Sequence, residues 1–349
     1  NKEQNQTRFY TCFAIALGAT MGIAFAANLV TLFLFYEILT LSTYPLVAHK
    51  GDEKTVRSAR VYLGVLLTTS IGLLLPAIIW TYMSAGTGDF TPGGILEGKV
   101  AGPAVGLLLG LFVFGIGKAA VMPVHRWLPA AMVAPTPVSA LLHAVAVVKA
   151  GVFTVTKVIV YVFGVDYLFS TPSSGWLLYA AAFTIVAASL VALRQTNIKR
   201  MLAYSTVAQL SYVVMAAAIL KPLAEIGAAV HMVAHAFGKI TLFFAAGAIY
   251  VASKKTEVSQ LRGIGYRMPW TMAAFTIGAL SMIGVPPTGG FVSKWFILAG
   301  AFPDDNYVAI ATLIASTARN AAYFLPIGYL AGFTKETQPP ASDHGEAPR

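Results

Sequence analysis

Ten apolar stretches run through this 349-residue chain, and they leave few folds open to it. Crossing the hydrocarbon of a bilayer takes about 20 residues of helix. Inside lipid the backbone finds no water, so only helices or closed barrels can span. Barrel strands alternate in segments of roughly ten residues, whereas these stretches are continuous, which excludes a barrel. The segments lie at roughly 8–27, 28–48, 57–84, 103–132, 137–163, 174–193, 200–219, 225–250, 269–302 and 307–332. The chain is 57% hydrophobic and 11% charged, against about 25% charged in a soluble domain. The fold class read from this is an all-α integral membrane protein.

The fourth and ninth segments are too long for one straight span, and both contain breakers. Pro123 and Pro129 interrupt the fourth, and Pro286-Pro287-Thr288-Gly289-Gly290 interrupts the ninth. Proline removes a backbone donor and clashes with the preceding turn. Both segments are therefore read as discontinuous helices.

The net charge of +10 would suggest nucleic acid in a soluble protein. Here it follows the tendency of basic residues to collect in cytoplasmic loops, and no nucleic-acid partner is expected. With the 49–60 loop placed inside, fifteen Lys and Arg residues fall inside, two fall outside (Lys99 and Lys221) and seven remain in the spans. Both ends are then cytoplasmic, in a multi-pass protein of the inner (plasma) membrane. On this count segments one to five start inside and segments six to ten start outside. The expectation is two inverted five-helix repeats, 8–163 and 174–332, each with a broken fourth member. Such repeats place a transport site at their interface. The polar, Pro-rich tail 334–349 reads as disordered. Cys12 is the single cysteine, so it has no intrachain partner and reads as a small apolar residue. The chain begins with Asn1 and shows no signal peptide, as a fragment or a chain lacking its start would.

A charge at a bilayer centre costs roughly 2.5–3.5 kcal/mol on insertion scales, so charged residues there face a protein interior or a water-filled cavity. Glu37, Lys118, Lys149, Lys239 and Lys294, with His143, His231 and His235, all lie inside the apolar runs. Glu37 is the only carboxylate deep in a span. It is either satisfied locally by Thr40 or Ser42, or paired with a lysine; at 4 Å and an effective dielectric near 20 such a pair is worth roughly 4 kcal/mol. Lys118 lies five residues before Pro123, with Gly115 and Gly117 leaving room around it, and lysine titrates when desolvated where arginine does not. His143 and Lys149 share one segment but differ by about 120° around a regular helix, which leaves them free to contact different neighbours along one path. His231, His235 and Lys239 follow at i, i+4 and i+8, on one helix face. Two histidines at that spacing invite a zinc reading, but the intervening Glu of the metalloprotease pattern is missing, no third ligand is near, and Lys239 would repel a cation. No metal and no cofactor are expected. A His–His–Lys row suits proton relay, because histidine titrates near neutral pH. Lys294 follows the Pro286–Pro287 break. Lys157 and Arg319 lie nearer the expected outer ends and read as snorkelling side chains. Arg126 reads as a partner for Glu37 or for a lipid headgroup.

The stretches FYEILTLSTYPL, GKAAVMPVHRWLPAAMVAPTPVSALLHAVAVVKAGVF, NIKRMLAYSTVAQLSY, HMVAHAFGKITLFF and GVPPTGGFVSKWF resemble the proton-conducting antiporter-like subunits. That family includes large membrane subunits of respiratory complex I, of membrane-bound hydrogenases and of Mrp-type cation/proton antiporters. The resemblance covers about residues 8–330 and matches helices four to thirteen of the family's fourteen, which implies a truncated or unusually short member. It implies that Glu37 is the fifth-helix glutamate and Lys118 its seventh-helix lysine partner. It implies that His143 and Lys149 are eighth-helix relay residues, that His231, His235 and Lys239 form the central relay, and that Lys294 is the exit lysine. The sequence around Lys149 and Lys294 most resembles the Mrp D subunit. The implied function is a proton-translocating subunit of a multi-subunit cation/proton antiporter, with a proton-pumping subunit of a complex I-type or hydrogenase-type oxidoreductase as the alternative. The implied partners are other membrane subunits, the bilayer, and protons with sodium as a candidate ion.

Overall fold

The computed structural model describes residues 5–335 and 345–347. The structure is helical: α1 (Gln6–Phe25), α2 (Leu29–Val47), α3 (Glu53–Ala85), α4 (Gly102–Gly115), α5 (Thr136–Phe163), α6 (Trp176–Leu193), α7 (Ile198–Ala218), α8 (Pro222–Ser253), α9 (Pro269–Ile283), α10 (Gly289–Ala301) and α11 (Tyr307–Phe333). Among the described residues eight helices are long and apolar enough to cross a membrane, and α4 and α9 are shorter apolar helices. Large apolar side chains such as Phe25, Leu107, Phe183, Phe237 and Ile314 face outward. A contiguous outward apolar surface of this kind is what a lipid-embedded protein presents.

Both long segments are discontinuous. The ninth breaks where the prolines stand: α9 ends at Gly284, in the left-handed region, and α10 begins after Pro286-Pro287-Thr288. The fourth breaks earlier than Pro123. Its helix α4 already stops at Gly115, Lys118 sits in a short 3₁₀ turn (Gly117–Ala119), and Ala120 is left-handed. The cause is tertiary. A Cβ on Gly115 would lie 2.4 Å from the backbone nitrogen of Leu74, in the wide π turn Ser70–Leu74 of α3. The chain therefore approaches α3 too closely to continue as a regular helix. Pro129 lies within a second helical turn, Trp127–Ala130.

The connecting loops gather into two groups. In one, Ala26–Asn28, Asp89–Ile95 and Tyr161–Gly164 hydrogen-bond to one another, for instance Phe90 N to Ala27 O at 2.9 Å and Ile95 N to Val162 O at 2.8 Å. In the other, Asn197 bridges to Glu257, and Val258 N donates to Thr196 O at 2.8 Å. Lys221 and Asp304 form an ion pair at 2.7 Å between two further loops. Most of the tail expected to be disordered, 334–349, lies outside the described residues. Its described segment 345–347 is docked: the Glu346 carboxylate accepts from Trp270 N at 2.8 Å and Thr271 N at 3.2 Å. An acid there satisfies orphan donors at the positive end of α9.

Candidate functional site

Each break is built around a lysine. Lys118 is fully buried. Its ammonium donates to Tyr36 O at 2.8 Å and Thr40 Oγ1 at 2.5 Å, and sits 3.2 Å from the centre of the Tyr36 ring. The Tyr36 hydroxyl returns a contact by accepting from Lys118 N at 3.1 Å, and Trp127 Nε1 holds Gly117 O at 2.9 Å. Lys294 reaches back across the second break, donating to Met282 O at 3.0 Å and Ile283 O at 2.7 Å, with Thr317 Oγ1 at 3.3 Å. These are carbonyls of the last turn of α9, which lack intrahelical partners and carry the negative end of the helix dipole. The ammonium answers both.

Glu37 lies beside Tyr36 on α2, and neither carboxylate oxygen has a hydrogen-bond partner in the protein. The expected pair with Lys118 is therefore open in this conformation. Local satisfaction by Thr40 or Ser42 is also not found, because both hydroxyls donate to backbone carbonyls of α2. Nor does Arg126, which is exposed, supply a partner. A buried carboxylate left in this way is costly, and the Lys118 ammonium lies within electrostatic reach of it.

His235 and Lys149 are joined, Nδ1 to Nζ, at 2.6 Å. His235 and His231 follow one turn apart on α8, with ring centres 6.2 Å apart, and His231 Nδ1 meets Ser293 Oγ at 2.8 Å. Tyr212 stands next: its ring is 5.4 Å from His231 and 5.1 Å from the Lys294 ammonium. The Nε2 atoms of both histidines are buried without a protein partner. Toward the other end of α8, Lys239 donates to Leu202 O at 3.1 Å. The His143 ring lies tilted, 5.1 Å from that of Phe243, within electrostatic reach of Lys239 and Lys199.

His143 and Lys149 thus meet different residues, Phe243 and His235, of the same helix α8. The 120° separation assumes a regular helix, but Leu141–Val145 form a π turn and Ala146 departs from helical geometry. The same helix touches the Lys118 break: a Cβ on Gly151, two residues after Lys149, would lie 2.3 Å from Lys118 C. The eight expected residues therefore form two linked sets, Glu37 with Lys118 and the His/Lys row on α5, α8 and α10. Among the described residues no group of three or more His, Cys, Asp or Glu side chains has the geometry to hold a metal ion.

Residues 26–318 match the family described as "NADH:quinone oxidoreductase/Mrp antiporter, TM". The chain belongs to that family. It is 35% identical over 335 residues to NADH-quinone oxidoreductase subunit N of Desulforudis audaxviator, covering 94% of this chain and 66% of that protein. It is 31% identical to a probable K(+)/H(+) antiporter protein of Rhizobium meliloti, over 93% of this chain and 32% of that one. It thus spans at most about two thirds of these curated relatives. Among solved structures, a chain of the archaeal membrane-bound sulfane sulfur reductase superposes with a TM-score of 0.83 at 27% identity, over 95% of this chain and 68% of that chain. A chain of the Mrp complex from Dietzia sp. DQ12-45-1b gives 0.82 at 25%, over 95% and 65%. These relatives are subunits of multi-subunit membrane complexes, and the chain is a multi-pass membrane protein of the same antiporter-like kind.

Within this family member, several site residues were not legible in the sequence. Tyr36, Tyr212 and Ser293 lie within the stretches that carry the resemblance but are uncharged and not singled out by it, Thr40 reads there as a partner of Glu37 and not of Lys118, and Thr317 lies outside those stretches. Arg319 reads differently from its expected outer position. It lies near the middle of α11, with one guanidinium nitrogen buried and without a protein partner. Lys157 does not simply snorkel: it donates to Ala26 O at 2.7 Å and caps the end of α1, as a cation near a helix C-terminus can.

Proposed function

We propose that the chain is a proton-translocating subunit of a multi-subunit membrane complex, read first as a cation/proton antiporter of the Mrp type. The observation that carries the reading is the buried row Lys149–His235–His231–Ser293, flanked by a lysine at each helix break. Lys149 and His235 share one short hydrogen bond, so a proton on either is available to the other. From His235 the next acceptor is His231, one turn away, reached through a bridging water or a ring rotation. Tyr212 and Ser293 then lead to Lys294. Lys118 has two alternative partners, the Tyr36–Thr40 pair and Glu37. Movement between them changes its proton affinity, because an opposite charge stabilises the ammonium and burial opposes it. The two broken segments, fourth and ninth in order, support two inverted five-helix repeats, 8–163 and 174–332. The basic loops support cytoplasmic ends in a plasma membrane. Sodium, if carried, finds a single deep carboxylate in this chain and would bind mainly in a partner subunit.

The named relatives also support a second reading, a proton-pumping subunit of a quinone oxidoreductase. Mass spectrometry of the native complex separates the two: iron–sulfur subunits favour the second and antiporter subunits the first. The proton path itself is tested in vesicles containing the reconstituted complex. Glu37→Gln and Lys118→Ala should each abolish proton flux. Normal flux in both would falsify the gate.

A further inference from the structure

A cavity of about 810 Å³ opens on the basic side of the molecule, lined by none of the relay residues, where the starts of α3, α5 and α7 meet the end of α8. Lys50, Lys54, Lys199 and Lys255 line it, against one acid, Asp52, whose carboxylate is taken up by the Thr55 hydroxyl. Lys50 lies within electrostatic reach of Lys199, whose ammonium is held by Ala134 O at 3.2 Å. Converging cations repel one another unless an anion sits among them. The far wall of the cavity is of a different kind. Phe244, Tyr250 and Val251 belong to the outward face of α8 and are 52%, 43% and 57% exposed. The cavity is therefore cationic at its loop end and apolar along its membrane flank.

From that arrangement we infer that the cavity binds one anionic phospholipid, its phosphate among the four lysines and its acyl chains along Phe244, Tyr250 and Val251. A soluble anion would use the lysines and leave the apolar wall unused. An acidic protein segment would have no need of a wall facing hydrocarbon. Basic pockets between membrane helices take anionic headgroups on the same grounds, at roughly one charge interaction per lysine.

The test uses the full chain with the membrane subunits that purify with it, in nanodiscs of phosphatidylcholine with or without phosphatidylglycerol. Lipids retained after detergent extraction are counted by native mass spectrometry. The expected result is one phosphatidylglycerol per chain. Lys50→Gln with Lys54→Gln, both at exposed positions, should weaken retention about 25-fold, at about fivefold per lysine. Arg57→Gln with Arg60→Gln removes the same charge from the same stretch but outside the cavity, and should leave retention unchanged. Equal loss in the two pairs would mean diffuse surface attraction and overturn the site. So would displacement of the lipid by inorganic phosphate at matched concentration, or a cross-link from Lys54 to an acidic side chain of another protein in the complex with no lipid retained.

Discussion

Lys118 and Lys294 each stand at a helix break, but they take different kinds of partner. A helix that stops inside a membrane leaves carbonyls unpaired, and in hydrocarbon each such group costs several kcal/mol. Lys294 pairs with two of those carbonyls directly, and Lys118 takes a carbonyl and a hydroxyl of α2. Lys294 completes its break and Lys118 ties its own to α2, and each keeps an exchangeable proton, which arginine does not. Lys118→Arg should therefore fail to restore what Lys118→Ala removes. Both should lower proton flux by about a hundredfold or more, the lower end of what a positioned proton-transfer group contributes, while a thermal melt of the arginine variant stays near that of the parent. Ser293 orients His231 through Nδ1. Ser293→Ala should slow flux about tenfold, the equivalent of one hydrogen bond to a charged group, and Ser293→Thr should recover it. If the threonine variant is as slow as the alanine one, Ser293 does not act through that bond.

At the level of elements, the discontinuities and the glycines that permit close approach set where these side chains stand. Gly115 was legible as room beside Lys118, but what lies against Gly115 and Gly151, the Leu74 backbone and the Lys118 backbone, is read from the structure alone. Gly151→Ala should destabilise the protein by about 1–3 kcal/mol, as overpacking does, and should also disturb flux by shifting α5 from the Lys118 turn. Gly64→Ala, at a position with open space around it, is the control and should be silent in the same melt in detergent. The ninth break was legible because Pro286, Pro287 and Gly289 mark it in the sequence. The start of the fourth was not, because it comes from the approach of α3 and precedes Pro123 by several residues. The π turn at Leu141–Val145 likewise leaves no local sign, and it lets His143 and Lys149 meet two different residues of one helix, Phe243 and His235.

At the level of the whole molecule, the arrangement of loops agrees with the bias of basic residues. The stretches bearing Lys50, Lys199 and Lys255 converge on one cavity, while Lys221 pairs with Asp304 elsewhere. In a Cys12→Ser background, single cysteines at Lys54 and Arg262 should react with a membrane-impermeant thiol reagent from one side, and cysteines at Lys99 and Lys221 from the other. Labelling of Lys54→Cys and Lys99→Cys from the same side would contradict the topology. The all-helical membrane class, eight of the ten expected spans among the described residues, the break at Pro286–Pro287, the single face of His231, His235 and Lys239, and the family itself were legible in the sequence. They depend on hydropathy, on proline and on helical period, which are local properties of the chain. The tertiary structure alone decided which partner each buried charge takes: Lys118 on Tyr36 and Thr40 with Glu37 left open, Lys149 on His235, and Lys294 on the end of α9. Those choices depend on how closely helices distant in sequence approach, and a lysine in an apolar run carries no record of which carbonyl or ring will come within about 3 Å of it.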